Sequence, residues 1–313
     1  MDYGPILGGP PEAGSLGGAL ATNLSGPRRI KAGAARDHFL GFSAVSGRAE
    51  TFKSGGRVVK NVTGYDLCKV LAGSYGTLAA MTEVTIKVLP APETEASVLV
   101  LGLSDEDANK AMSAAMTSSC DVSAAAHLPG NMVMHFAGLV TSKSATAFRL
   151  EGVAPSVKHR KDALIALLRP FGPLEAIDQA SSRTLWRSVR DAAPFAASGP
   201  AGDWPLWRVS TTPACGSEFT SKLMPGAQFF YDWAGGLVWI AVPPSANAGA
   251  ATIRRAAAST GGHATLVRAP AATRAAVDVF EPQQGALQGV TKRVKESFDP
   301  KGVLNPGRMW AGV

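Results

Sequence analysis

Gly14 to Arg29 reads GSLGGALATNLSGPRR, and Leu71 to Val84 reads LAGSYGTLAAMTEV. Glycine at this density lets the backbone come close to a ligand, and successive N–H groups in such turns form a nest for an anion such as a pyrophosphate. The same glycines also serve tight turns that pack a helix on a strand, and by composition alone that structural role is the favoured reading of each stretch. Neither is GxGxxG or GxxxxGK[ST], which argues against a Rossmann or P-loop reading. Around them, residues 1–92 form one glycine-rich block. LATNLS reads as the end of a helix opened by GSLGGA, LGFSAVSG and AETFKSGG as a strand pair, and YDLCKVLAG as a short amphipathic helix. TLAAMTEVTIKVL reads as a strand entering a second one, because Val84, Ile86 and Val88 alternate with Thr85 and Lys87. Pro90 and Pro92 then mark a domain boundary.

Beyond that boundary the texture changes. Residues 93–270 alternate strands (ASVLVLGL, LWRVSTT, AQFFYDW, GLVWIAV) with amphipathic helices, which predicts an antiparallel sheet covered by helices, an α+β cap domain. Ser104 with Asp107 forms a capping box, PSVKHRKDALIALLRPFG is a helix closing at Gly172, and SSRTLWRSVRDA is a helix capped by Ser181 or Ser182. Residues 271–313 end in a helix that stops at Pro300, followed by a turn and a tail. The fold class expected for the whole chain is α+β.

The 313 residues, 46% of them hydrophobic, suffice for two packed cores. The net charge of +7 is spread out, and its densest groups (Arg28, Arg29, Lys31; Lys158, His159, Arg160, Lys161) are short, so a nucleic-acid partner is not expected. Cys68, Cys120 and Cys215 are odd in number, far apart and in no CxxC pattern, which points away from a disulfide framework or a zinc site. No apolar run reaches the ~20 residues that cross a bilayer. The expectation is a cytoplasmic protein without direct membrane insertion, associating with a membrane only through partner subunits.

In order along the chain stand GGALATNLSGPRR, ARDHFLGFSAVSG, GGRVVKNVTGYDLCKVLAGSYGTLAAMTEV, GGHATLVRA and FDPKGVLNPGRM. In this order they resemble the FAD-binding domain of the vanillyl-alcohol oxidase or p-cresol methylhydroxylase (PCMH) type and, within it, the E subunits of bacterial glycolate oxidases. The resemblance implies a partial PCMH-type FAD-binding domain over 1–92, a cap domain over 93–270, and a C-terminal helix and tail (271–313) that return to the flavin site. It implies noncovalent FAD with Gly17, Gly18, Thr22, Asn23, Ser25 and Gly26 along the pyrophosphate and ribityl region. Gly76, Thr77 and the backbone of Ala80 would meet the pyrimidine edge, with Asn305 closing over the ring. Relatives read GTLG where this chain reads GTLAAM, so Ala79 replaces an expected glycine. The function implied is flavin-dependent oxidation of glycolate to glyoxylate, beside a catalytic flavin subunit and an iron–sulfur subunit. Relatives begin with another subdomain that this chain is expected to lack, and Met1 matches an interior position. A truncated or FAD-free assembly subunit is therefore an alternative, and an independent D-2-hydroxy-acid dehydrogenase a second.

Catalytic and metal-ligating residues are less legible. His263, in GGHATLVRA, is the one candidate for a residue near the flavin, although a lone histidine more often serves structure. His127 and His135 straddle a Pro-Gly turn that would set them on neighbouring strands, with no third ligand, so no metal site is assigned. GxSxG is absent, Cys68 reads as a buried structural thiol, and Asp105, Glu106 and Asp107 as charges at a helix start. Arg28, Arg29 and Arg36 read equally as phosphate contacts or as structural charges, while Tyr65 and Asp66 read as a helix opening.

Overall fold

The computed structural model describes residues 6–10, 14–58 and 64–313; the DYGP opening and residues 60–63 of the KNVTGYDL motif lie outside them. Ser15 caps helix α1 (Leu16–Ala21) by accepting the Gly18 N–H at 3.0 Å. Two single turns follow, α2 (Arg29–Ala32) and α3 (Ala35–His38), then β1 (Phe39–Ser46), β2 (Thr51–Gly55), α4 (Leu67–Leu71) and β3 (Ala79–Ile86). The strands form an antiparallel sheet in the order β2-β1-β3. Leu20, Phe39, Phe42, Cys68 and Leu71 close its core. Burial pushes the Cys68 thiol up to about 11, as an inert structural thiol requires.

The two strands expected in TLAAMTEVTIKVL form as one, β3, which ends at Ile86. Ile86 pairs with Phe39, the first residue of β1, so the ladder has no partner beyond it, and the Lys87 N–H turns to the His38 carbonyl. Val88 continues the alternation yet is exposed, as is Leu89 after it.

The second lobe runs through β4 (Thr94–Leu101), α5 (Asp105–Met116), β5 (Ala124–Leu128), β6 (Ala145–Gly152), α6 (Ala154–Leu168), β7 (Leu174–Ile177), α7 (Gln179–Arg190), β8 (Leu206–Ser210), α8 (Gly216–Thr220), β9 (Gln228–Asp232), β10 (Leu237–Ala241), α9 (Ala250–Ser259) and β11 (His263–Arg268). Its eight strands form one antiparallel sheet, ordered β11-β8-β10-β9-β5-β6-β4-β7. Strand alternation divides the core. Val98 and Val100 pack with α5 and α6, whereas Leu99 faces α7, and Trp207 and Val209 pack with α9. The opposite parity of β8, Leu206 and Arg208, belongs to the face on which Ile6, Leu7 and Ile30 of the first lobe also pack. Helices α10 (Ala271–Ala276) and α11 (Gly285–Phe298) lead into the tail.

Ser104 caps α5 as the spacing predicts, accepting the Asp107 N–H at 3.1 Å. The cap of α7 is corrected: Asp178 accepts the Ser181 N–H, while Ser182 is buried inside the helix and donates to Glu95. An acceptor three residues before the expected cap supplied the same bond, and Ser182 serves the core.

Candidate functional site

The two glycine-rich stretches meet. The Gly73 and Tyr75 N–H groups donate to the carbonyls of Leu20 and Ala21 at 3.1 and 2.8 Å, which hangs the turn Ser74–Thr77 on the end of α1. Gly76 adopts φ +71°, and a methyl group there would stand 2.8 Å from Asn305 Nδ2. That amide donates to the carbonyls of Tyr75 (3.1 Å) and Gly76 (3.3 Å), so Asn305 closes over the turn as a lid made from the tail. Beneath it, Lys295 of α11 is buried and donates to the carbonyl of Thr77 (2.7 Å), the carbonyl of Leu304 (2.7 Å) and the carboxylate of Asp299 (2.8 Å). Asp299 in turn accepts the Val303 and Leu304 N–H groups. Burial alone would raise its carboxyl, but the Lys295 ammonium and these amides outweigh it and hold the pKa below the usual value.

The other residues named from sequence divide by role. Gly17 and Gly18 lie on α1, and among the described residues a methyl at Gly17 would meet only Ser15 Oγ at 3.9 Å. Thr22 bonds back to the Gly18 carbonyl. Asn23, left-handed at φ +51°, accepts the Arg36 N–H, and Ser25 accepts the Ala35 N–H. Gly26 offers its carbonyl to the Trp233 indole at 3.0 Å. Thus Thr22, Gly76, Thr77 and Asn305 are gathered at one junction, whereas Asn23 and Ser25 have side chains engaged in holding the loop. Ala80 is exposed on β3 opposite Val45. Ala79, the departure from the expected glycine, is buried with Leu20 and Phe39, so its methyl fills the core.

Between this junction and the sheet lies a cavity of about 310 Å³. Thr22, Leu24 and Tyr75 line it from the first lobe, Arg308 from the tail, and Arg208, Trp239 and Thr265 from the sheet. Arg208 stands opposite Trp239 on one side and Thr265 on the other, so strand register alone aligns the three across the face. Burial, opposed by Tyr75 and Asp232, lowers the pKa of Arg208, and burial raises that of Tyr75 against the pull of Arg208 and Arg308. Trp233 sits between two guanidiniums, Arg29 at 4.3 Å and Arg208 at 4.9 Å from its ring centroid. It reaches that position through three consecutive left-handed residues, Trp233, Ala234 and Gly235.

His263 is exposed at the start of β11 beside Ser210, one position along the face from Arg208. Crowding on its protein side, with the Arg208 charge, lowers its imidazole pKa while Glu281 opposes. It is not among the residues lining the cavity. The pairing expected for His127 and His135 does not occur. His127 is buried on β5 against Thr146 and Asp105, whereas His135 is exposed in a single 3-10 turn. The Pro-Gly turn leads into that helical turn rather than a strand. Arg28 takes the structural reading, donating from Nε to both Glu151 carboxylate oxygens at 3.0 Å. Among the described residues no group of three His, Cys, Asp or Glu side chains is placed to hold a metal.

Sequence reasoning missed Tyr75, Arg208, Trp233, Arg308 and Lys295. Two signals were available: the parity of LWRVS, which sets Arg208 with Leu206, and the i,i+4 spacing of Lys295 and Asp299.

No family model matches the chain. Glycolate oxidase subunit GlcE of Escherichia coli K12 is 32% identical over 300 residues, covering 96% of this chain and 73% of that subunit. This chain belongs to the glycolate oxidase E-subunit family. Glycolate oxidase subunit GlcD of Bacillus subtilis is 29% identical over 175 residues, 54% of this chain and 34% of that subunit. Among solved structures, an alkyldihydroxyacetonephosphate synthase superposes with a TM-score of 0.62 at 16% identity, over 95% of this chain and 58% of that one. A VAO-type flavoprotein of Myceliophthora thermophila gives 0.56 at 15% identity, over 94% and 60%. The fold is therefore shared with VAO-type flavoproteins, and this chain spans less than two thirds of either structure.

Proposed function

We propose that this chain is an FAD-binding subunit of a glycolate oxidase, assisting oxidation of glycolate to glyoxylate. The observation that carries the reading is the junction of the two glycine-rich turns under Asn305, beside a cavity walled by the sheet. FAD, when bound, supplies the acceptor for the substrate's hydride. The chain's own residues bind and orient: the uncrowded glycine turn at Gly17 and Gly18 would let a pyrophosphate come close to the backbone, with Thr22, Asn23, Ser25 and Gly26 shaping the loop behind it. Gly76, Thr77, the Ala80 backbone and Asn305 form the edge facing the ring, and Tyr75 and Leu24 exclude water from that side. Binding is noncovalent in this reading. A catalytic flavin subunit and an iron–sulfur subunit are the partners, and membrane association runs through them; no described helix is long and apolar enough to cross a bilayer.

The test is the visible spectrum of the purified chain after mixing with FAD and desalting. Flavin bands that persist, and that fall at least tenfold in occupancy on substituting Gly76→Val, support the reading. A colourless protein that shows no FAD binding at any concentration overturns it.

A further inference from the structure

The cavity between the lobes presents three cationic side chains, Arg208, Arg274 and Arg308, and among the described residues no Asp or Glu lines it. Arg208 is the deep one. It rises from β8, the strand next to one edge of the sheet, and although the residue is only half-buried its Nε is closed to solvent without a hydrogen-bond acceptor among the described residues. Arg274 and Arg308 are exposed, so they stand toward solvent while Arg208 stands inside. A guanidinium N–H closed off from water without an acceptor is costly, and the ordinary remedy is an anion whose two oxygens match the fork.

The rest of the lining selects among anions. Ile6, Leu24, Trp239, Leu266, Val279 and Phe280 give apolar and aromatic walls, and Thr22, Thr265 and Tyr75 give hydroxyls near the arginines. A cavity of about 310 Å³ lies at the small end of ligand pockets and has room for a small carboxylate. A pyrophosphate is better served by a nest of glycine-loop amides, and no described glycine lines this cavity.

We propose that this cavity is a binding site for a small carboxylate, with Arg208 as its bidentate anchor, Arg274 and Arg308 as steering charges at its mouth, and Thr265 or Tyr75 meeting a hydroxyl or carbonyl on the adjacent carbon. The proposal rests on the reading above for its substrate class, a 2-hydroxy or 2-oxo acid, and gives this chain its own contact with that acid rather than a purely electron-passing or assembly role.

The test titrates the purified chain, with whatever flavin it retains, with oxalate, then with inorganic phosphate and ADP, at constant ionic strength. Indole fluorescence is followed, because Trp239 lines the cavity and Trp233 stacks with Arg208. Oxalate should bind saturably, and Arg208→Gln should weaken it about thirtyfold or more, the usual effect of removing one partner from a desolvated charge pair. Arg208→Lys should recover part of the affinity. If Arg208→Gln does not fold, the double variant R274Q/R308Q at exposed positions should still weaken oxalate severalfold and make its binding less salt-dependent. Oxalate binding that is undetectable, or unchanged in all these variants, overturns the proposal, as does ADP or phosphate binding more tightly than oxalate in an Arg208-dependent manner. FAD retention is scored separately: Arg208-dependent oxalate binding in a chain that never holds FAD sinks the flavoprotein reading alone, and FAD retention without oxalate binding sinks this one alone.

Discussion

Lys295 shows how one residue can hold a site together without touching a ligand. Its ammonium spends all three donors inside the protein, on Thr77, Leu304 and Asp299. Lys295→Met leaves a buried carboxylate uncompensated, and we expect a loss of about 3–5 kcal/mol in chemical denaturation. Adding Asp299→Leu should restore part of it, since two apolar neighbours replace an ion pair cheaply. The pH dependence follows from the sign of the Asp299 shift. A carboxyl lowered in the folded protein contributes fully above the unfolded value of roughly 3.9 and is lost as pH falls through the folded value. Thermal scans should show this contribution unchanged from neutral pH down to about pH 5 and disappearing below pH 4, and Asp299→Asn should flatten that decline. Residue-scale legibility divided accordingly. Asn305 and Gly76 stood in recognisable phrases; the i,i+4 spacing pointed to the Lys295–Asp299 pair, but that Lys295 fastens the Thr77 carbonyl, 218 residues away, no local pattern reveals.

Among the elements, the β9–β10 connection carries the most strain for its length. Gly235 has φ +95°, and a methyl there would lie 2.5 Å from the Pro213 carbonyl and from Asn109 Oδ1. Gly235→Ala should therefore cost at least about 1–3 kcal/mol and reduce Trp233 burial, visible as a red-shifted indole emission. An unchanged spectrum and melting point would show that the turn tolerates a side chain. Most elements were legible because their signals are local: alternation in β8, β9 and β10, the Ser104 cap, and the helix ending before Pro300. The misreadings share a cause. The extension of β3, the cap of α7 and the His127–His135 pairing each depended on where a neighbouring segment ends or which group reaches a vacancy first.

At the scale of the whole molecule, the lobes are joined by charge as well as by apolar packing. Glu151, nearly buried on β6, holds both Arg28 of the first lobe and Arg149 of the sheet. Burial would raise its pKa, but the bond from Arg28 and the charge of Arg149 keep it low. Glu151→Gln should destabilise by several kcal/mol and increase amide exchange on both sides of the junction. Lys31→Ala, which removes a half-exposed pair with Asp121, should cost less than about 1 kcal/mol, and the remaining effect should vanish at ~1 M salt. The tail lock also sets an order in time. Thr77 and the Lys295 that secures it are 218 residues apart, so at roughly 5–20 residues per second the ribosome needs about 11–44 s between them. For that interval the turn that faces the cavity is made but unfastened, and a nascent chain met by a ligand or chaperone during those seconds offers it a half-built pocket.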